Sequence, residues 1–150
     1  MADAKSGLTY VLDENWAGIP ALLQQARATA CDRVTNLEAL GIPPGALDPA
    51  VLHGVGGLLH PVLLTRDGSM LGPVVQRGAW KEAGVTPFMF GKAWGQLPLG
   101  ELARRMIYLW PSVVQQAEAS APGTAWRVNP TIPSAPANAF RLVVGKHAQP

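Results

Sequence analysis

Apolar positions near the start of the chain predict a strand followed by a helix. Residues 8–12 have the composition of a strand. Asp13, Glu14 and Asn15 come next and are candidate helix caps. From Trp16, apolar residues recur every three or four positions, which predicts one amphipathic helix over residues 16–40. Its apolar positions are Ile19, Leu22, Leu23, Ala26, Ala30, Val34, Leu37 and Leu40, with Pro20 in the first turn.

Two apolar runs in the middle of the chain predict a β-hairpin. Residues 58–65 and 70–76 flank the sequence Arg-Asp-Gly-Ser at 66–69, and Asp-Gly is a strong hairpin signal. Pro61 and Pro73 each remove one backbone donor from a strand. We therefore expect both strands to lie at a sheet edge or to be irregular.

A second amphipathic helix is predicted to begin at Leu99 and to kink at Pro111. Residues 126–128 and 140–144 have the composition of two short strands, and residues 129–138 between them form a proline-rich, extended loop. The helix has its apolar positions at Leu102, Met106, Leu109, Trp110, Val113 and Val114.

These elements predict an α+β fold. We expect a short antiparallel sheet, with the β-hairpin, packed against the two main helices. Residues 1–119 would form the globular core, and residues 120–150 a C-terminal extension with an extended arm. A length of 150 residues with 48% hydrophobic residues fits one domain with its own core.

Composition also bears on where the chain is found. Cys31 is the single cysteine and cannot form an internal disulfide, and the polar start of the chain lacks a signal-peptide core. We therefore expect synthesis in the cytoplasm. Arg, Gln, Asp or Pro interrupts every long apolar stretch, so no membrane partner is expected.

Charge is distributed unevenly along the chain. Four basic and seven acidic residues occur up to Gln76, and eight basic and three acidic residues occur beyond it, giving −3 and +5. If the halves lie on opposite faces, copies would attract head to tail, a geometry that generates rings. If the halves fold against each other, the asymmetry disappears.

A search for reactive groups yields no catalytic residue, cofactor or metal site. His53 and His60 are seven positions apart with glycines between them, which is not the spacing of a helical metal site. Cys31 is predicted to be a buried, inert thiol. No nucleophile elbow or phosphate-binding loop is present. Carboxylates are sparse, Glu82, Glu101 and Glu118 are each isolated in sequence, and nothing in the sequence indicates an acid/base pair.

Residues 78–95 are rich in glycine and aromatic residues without a regular period, which predicts an ordered, apolar loop. Such a loop needs cover from the chain's own core or from another subunit. Its aromatic residues and two lysines have the composition of a nucleic-acid stacking platform, but two lysines are few for a strand of phosphates. A nucleic-acid partner is therefore not expected. The candidate interaction residues are Trp80, Phe88, Phe90 and Trp94 in this loop, and Pro130, Ile132 and Pro133 in the proline-rich arm.

Five collinear pieces of residues 16–110 resemble a known family in their order. They are the helix ending at Leu40, the turn Pro43-Pro44-Gly45-Ala46-Leu47, the hairpin, the segment Val74-Val75-Gln76-Arg77-Gly78, and Thr86-Pro87-Phe88-Met89 leading into Ala93. In this order the chain resembles neck proteins of long-tailed bacteriophages, the small tail-completion or minor head–tail joining proteins. The resemblance implies a ring between the capsid portal and the tail, with no catalysis.

The sequence leads to three functional hypotheses. The first is a structural protein that assembles with copies of itself and with other structural proteins, as part of a virion neck or tail. The alternative is a small enzyme or a toxin/immunity-type protein with an aromatic-lined pocket. The third is a nucleic-acid-binding module, whose binding would weaken steeply as salt rises.

Overall fold

The computed structural model describes residues 8–13, 16, 18–25, 33–41, 55, 58, 60–65, 81–90, 93–94, 96–128 and 139–142. Strands and helices both contribute to it. In chain order they are β1 (Thr9–Leu12), α1 (Ile19–Gln25), β2 (Arg33–Asn36), a 3-10 turn (Glu38–Leu40), β3 (Pro61–Thr65), β4 (Thr86–Met89), α2 (Leu99–Ala119), β5 (Trp126–Val128) and β6 (Phe140–Leu142).

The described strands form one mixed sheet in the order β2-β1-β3-β4-β5-β6. Strands β1 to β5 are mutually parallel, and β6 alone pairs antiparallel, with β5. The mixture of helices and strands expected from the sequence is confirmed. The expected antiparallel sheet is wrong for the described strands, because four of the five pairings are parallel.

One face of the sheet carries the larger core. Alternate strand residues such as Tyr10, Leu64 and Phe88 point to this face, where they pack with α1 and α2. Tyr10 meets Trp110 of α2 edge to face, with ring centroids 4.9 Å apart. A smaller core of Val11, Leu37, Val55, Leu63, Val85 and Met89 lies on the other face.

Helix α2 agrees closely with the sequence pattern. It begins at Leu99, and its buried residues include all six apolar positions predicted for it. Near its start, Glu101 accepts hydrogen bonds from Arg104 and Arg105. These hydrogen bonds, of which the one from Arg104 has the larger effect, stabilise the carboxylate and lower the pKa of Glu101. Whether Pro111 kinks the helix stays a prediction.

The single long helix predicted over residues 16–40 is wrong. Helix α1 ends at Gln25 within the described residues, and Arg33–Asn36 is a strand that pairs with β1. Val34 and Thr35 are β-branched and therefore suit a strand, and both lie in register with β1. The side chain of Gln24 accepts a hydrogen bond from the Val34 amide at 2.7 Å and so joins α1 to β2. The predicted position of Pro20 in the first helical turn is confirmed.

The expected edge position of the strand at 61–65 is also wrong. Strand β3 lies inside the sheet with β1 on one side and β4 on the other. Pro61 is tolerated because it is the first residue of the strand. The second predicted hairpin strand, at 70–76, and its turn lie outside the described residues.

The interpretation of residues 78–95 as a loop is wrong for their central part. Residues Thr86–Met89 form β4, and all four are buried. A strand that is covered on both faces lacks polar–apolar alternation, so its sequence carries no two-residue period. Both sheet neighbours of β4 are parallel to it.

The two predicted C-terminal strands are confirmed as β5 and β6. Strand β5 pairs with β4, so a strand of the predicted extension belongs to the same sheet as the predicted core. The proline-rich loop at 129–138 and the end of the arm lie outside the described residues. No helix in the described ranges has the length and apolar character needed to cross a membrane.

Candidate functional site

The strand order creates a topological switch between β1 and β3. From β1 the chain adds β2 on one side of the sheet, and then adds β3, β4 and β5 in succession on the other. In open sheets of parallel strands, ligands bind outside the carboxyl ends of the strands at such a switch. A ligand site is therefore expected at the residues just after β1 and at the end of β3.

Asp13 and Thr65 occupy this position. Asp13 comes directly after the last residue of β1 and is 9% exposed, and Thr65 is the last residue of β3 and is fully buried. The Thr65 hydroxyl donates a 2.6 Å hydrogen bond to Asp13 Oδ2. A buried carboxyl group is costly unless polar groups stabilise it, and the Thr65 hydroxyl is one such group.

Three hydrogen bonds hold the backbone around Asp13 and Thr65. Leu64 O accepts from the Asp13 amide at 3.2 Å and from the Trp16 indole Nε1 at 3.1 Å. Thr65 O accepts from the Phe90 amide at 2.8 Å, so the end of β4 is held against the end of β3. Asp13 is thus held at the end of β1 by hydrogen bonds to β3.

The aromatic residues expected to form an interaction surface lie inside the protein instead. Phe88, Phe90 and Trp94 are each at most 2% exposed and belong to the larger core. Phe88 lies in β4, and Phe90 follows it by two residues. Both side chains therefore point to the same face of the sheet. The chain's own core covers these three side chains, and the interaction role expected for them stays a prediction. Trp80, Pro130, Ile132 and Pro133 lie outside the described residues.

The core aromatics pack edge to face in a short series that lies next to the Asp13 site. Trp16 meets Phe90 with centroids 5.0 Å apart, and Phe90 meets Trp94 at 5.2 Å. Trp16 is also the donor to Leu64 O, so this series supports the strand ends directly. The indole Nε1 of Trp94 is buried without a hydrogen-bond partner.

The described histidine does not contribute to this site. His60 is exposed and precedes β3, so it lies at the amino edge of the sheet, whereas Asp13 is at the carboxyl edge. Its carbonyl accepts a hydrogen bond from the Thr9 amide at 3.4 Å. Cys31, His53 and His147 lie outside the described residues. Within the described ranges, no group of three or more His, Cys, Asp or Glu residues is arranged to hold a metal ion.

A row of residues crosses the sheet at the height of Thr65. Thr65 pairs with Met89 of β4, Met89 pairs with Arg127 of β5, and Arg127 pairs with Arg141 of β6. Met89 belongs to the smaller core, whereas the neighbours Trp126, Val128 and Phe140 pack on the larger core. Alternation therefore places Thr65, Met89, Arg127 and Arg141 on the face of the smaller core.

The sequence pattern indicates neither member of the buried pair as a site residue. It predicts Asp13 as a helix cap, but α1 begins six residues later, at Ile19, and Asp13 bonds to Thr65. It predicts Thr65 as the end of a hairpin strand. The useful signal in the sequence is an apolar strand with a carboxylate immediately after it, which is informative once the strand is known to be parallel.

Comparisons with family models, with curated proteins and with solved structures found no match. The resemblance to phage neck proteins therefore stays a prediction. One of the pieces that carry it has another structure here: Arg33–Asn36 is a strand and not part of a helix that ends at Leu40.

Proposed function

We propose that the chain is a small enzyme that binds a divalent cation at Asp13 and acts on a phosphate-bearing substrate. The observation that carries this proposal is the position of Asp13, a nearly buried carboxyl group at the switch point between two parallel strands. Ligands bind at this edge in sheets of this kind, and Asp13 is a charged group that the structure places there.

The chemistry of a carboxylate favours a hard cation as the ligand. Mg²⁺ is commonly held by one or two carboxylates together with substrate phosphates and waters, so a full set of protein ligands is not needed. In the sequence, Glu14 is the residue after Asp13, and Asp67 is two residues after Thr65. The placement of both lies outside the described residues, so they are candidates for mutagenesis rather than assigned ligands.

The charge distribution supports an anionic substrate. The part of the chain beyond Gln76 carries +5, and Arg127 and Arg141 are exposed on the face to which Thr65 points. A cation bound by carboxylates and basic residues nearby would both attract phosphate groups. This combination favours the enzyme hypothesis over the nucleic-acid-binding module, because a carboxylate alone repels a phosphate backbone.

Melting temperatures with and without MgCl₂ or MnCl₂ test the proposal on the full chain. A cation at 100 times its dissociation constant stabilises the folded state by about 2.7 kcal/mol. For a chain of this size each kcal/mol raises the melting temperature by about 2–4 °C. We therefore expect a rise of roughly 5–10 °C for the wild-type chain.

The Asp13→Asn variant should lose this rise, because an amide does not neutralise a cation. The control is Glu118→Gln, which removes an exposed carboxylate from the end of α2 and should respond as the wild type does. Release of p-nitrophenol from bis(p-nitrophenyl) phosphate with Mn²⁺ then measures activity. Equal cation responses in wild type and Asp13→Asn would refute the proposal.

Assembly remains a second candidate function, and surface apolar residues favour it. Leu99, Ile107 and Tyr108 of α2 are 55%, 38% and 46% exposed, so large apolar side chains remain at the surface of this helix. A ring of copies in a virion neck is the form that the sequence resemblance implies. Native mass measurement at high protein concentration tests it: a defined oligomer that Ile107→Lys with Tyr108→Lys dissociates supports assembly, and a strict monomer contradicts self-assembly.

A further inference from the structure

Arg127 and Arg141 form a pair of like charges on neighbouring strands. They are directly opposite each other in the antiparallel pairing of β5 with β6, and both are exposed. Residues directly opposite in such a pair have Cβ atoms about 4.5–5.5 Å apart, and like charges at this distance destabilise a sheet. The arrangement therefore needs a physical reason.

The described residues supply no counter-charge for this pair. Ion pairs in the described part of the chain join Glu101 to Arg104 and to Arg105, and none involves Arg127 or Arg141. Arg104 and Arg105 are thus paired with a carboxylate, whereas Arg127 and Arg141 have no ion pair within the described residues.

The pair also lies in line with the Asp13 site. Arg127 is two strands away from Thr65 in the same row of the sheet, at a distance of about 10 Å between backbones. Thr65, Arg127 and Arg141 point to the same face. Met89 lies between Thr65 and Arg127 in this row and is fully buried in the smaller core, so the arginines form an exposed surface beyond that core.

We propose that Arg127 and Arg141 together bind a phosphate group of the substrate. Two guanidinium groups side by side present several N–H donors, and this geometry suits the oxygens of a phosphate. A bound phosphate also offsets the repulsion between the two arginines. This assignment rests on the proposed function for the identity of the substrate, while the phosphate site itself can be measured without a cation.

Isothermal titration calorimetry with pyrophosphate in metal-free buffer tests the site. The wild-type chain should bind, and Arg127→Gln and Arg141→Gln should each weaken binding at least tenfold, because a single guanidinium remains. Arg104→Gln is the control: it removes the same charge from an exposed arginine of α2 and should bind as the wild type does.

The outcomes separate this inference from the proposed function. No binding by the wild type, or equal losses in Arg104→Gln and Arg127→Gln, would overturn the phosphate site, because the second result would be a general effect of net charge. A phosphate site that depends on the arginines, in a chain with no response to Mg²⁺ or Mn²⁺, would leave the site intact and refute the cation-dependent enzyme. Arg127→Gln and Arg141→Gln should each melt no lower than the wild type in phosphate-free buffer, because each removes one of two repelling charges.

Discussion

At the residue scale, the role of Asp13 is decided by a distant partner rather than by its neighbours in sequence. An Asp ahead of an amphipathic segment is a reasonable helix cap, and the sequence alone favours that interpretation. In the structure Asp13 is buried and accepts a hydrogen bond from a threonine 52 residues away in sequence. A contact of this range leaves no local signature, so the pair could not be predicted from the chain near either residue.

The hydroxyl of Thr65 is predicted to be the group that makes a buried Asp13 tolerable. Thr65→Val keeps the shape of the side chain and removes the donor, which should cost about 1–3 kcal/mol of unfolding free energy, and more than Thr65→Ser, because the buried carboxyl group loses one of its hydrogen bonds. Thr65→Ser keeps the donor and loses one methyl group, so it should cost about 0.5–1.5 kcal/mol, as comparable deletions of one buried methyl do. Urea denaturation of the three proteins measures the difference.

Equal losses in the two Thr65 variants would contradict this role and would indicate that packing of the methyl group matters most. A further comparison uses Thr124→Val. The Thr124 hydroxyl donates to the Ala121 carbonyl at 2.7 Å in an exposed turn. Water can replace that bond, so its loss should change the stability by less than about 0.5 kcal/mol.

At the element scale, the sequence is reliable where one periodicity continues for several turns. Helix α2 is 21 residues long, and its apolar stripe is long enough to identify it and its buried face. Over residues 16–40 the same kind of spacing is misleading. Apolar residues of a short helix and of a later strand can keep a three-or-four spacing by chance when each element has only four to seven residues.

Buried parallel strands are the hardest elements to identify from one sequence. Strand β4 is buried along its whole length and contains Pro87, and so it has neither alternation nor an uninterrupted β-branched run. Its backbone hydrogen bonds go to β3 and β5, which are distant in sequence. Tertiary pairing therefore decides the structure of this segment, whereas its glycine and aromatic content predicts a loop.

At the scale of the whole molecule, topology converts separate residues into a site. The order of β1, β3, β4 and β5 brings Asp13, Thr65 and Arg127 to one edge region and aligns the last two in one row. The sequence indicates the basic character of the second half but not which basic residues become neighbours. That information exists only in the register of β5 with β6.

The burial of the central aromatics changes the balance between the functional hypotheses. The assembly hypothesis depends in part on an aromatic segment that needs cover, and Phe88, Phe90 and Trp94 receive that cover from the chain's own helices and strands. The exposed apolar residues of α2 are the feature that still favours assembly. The positions of Asp13, Arg127 and Arg141, by contrast, favour the proposed ligand site.

The most direct measurement is an anomalous difference map from crystals of the full chain soaked in MnCl₂. We expect a peak in direct contact with a carboxylate oxygen of Asp13, at the carboxyl ends of β1 and β3, and no such peak in crystals of Asp13→Asn. A map without a peak at this edge, or with an equal peak in the variant, would contradict a cation site at Asp13 and with it the proposed enzyme.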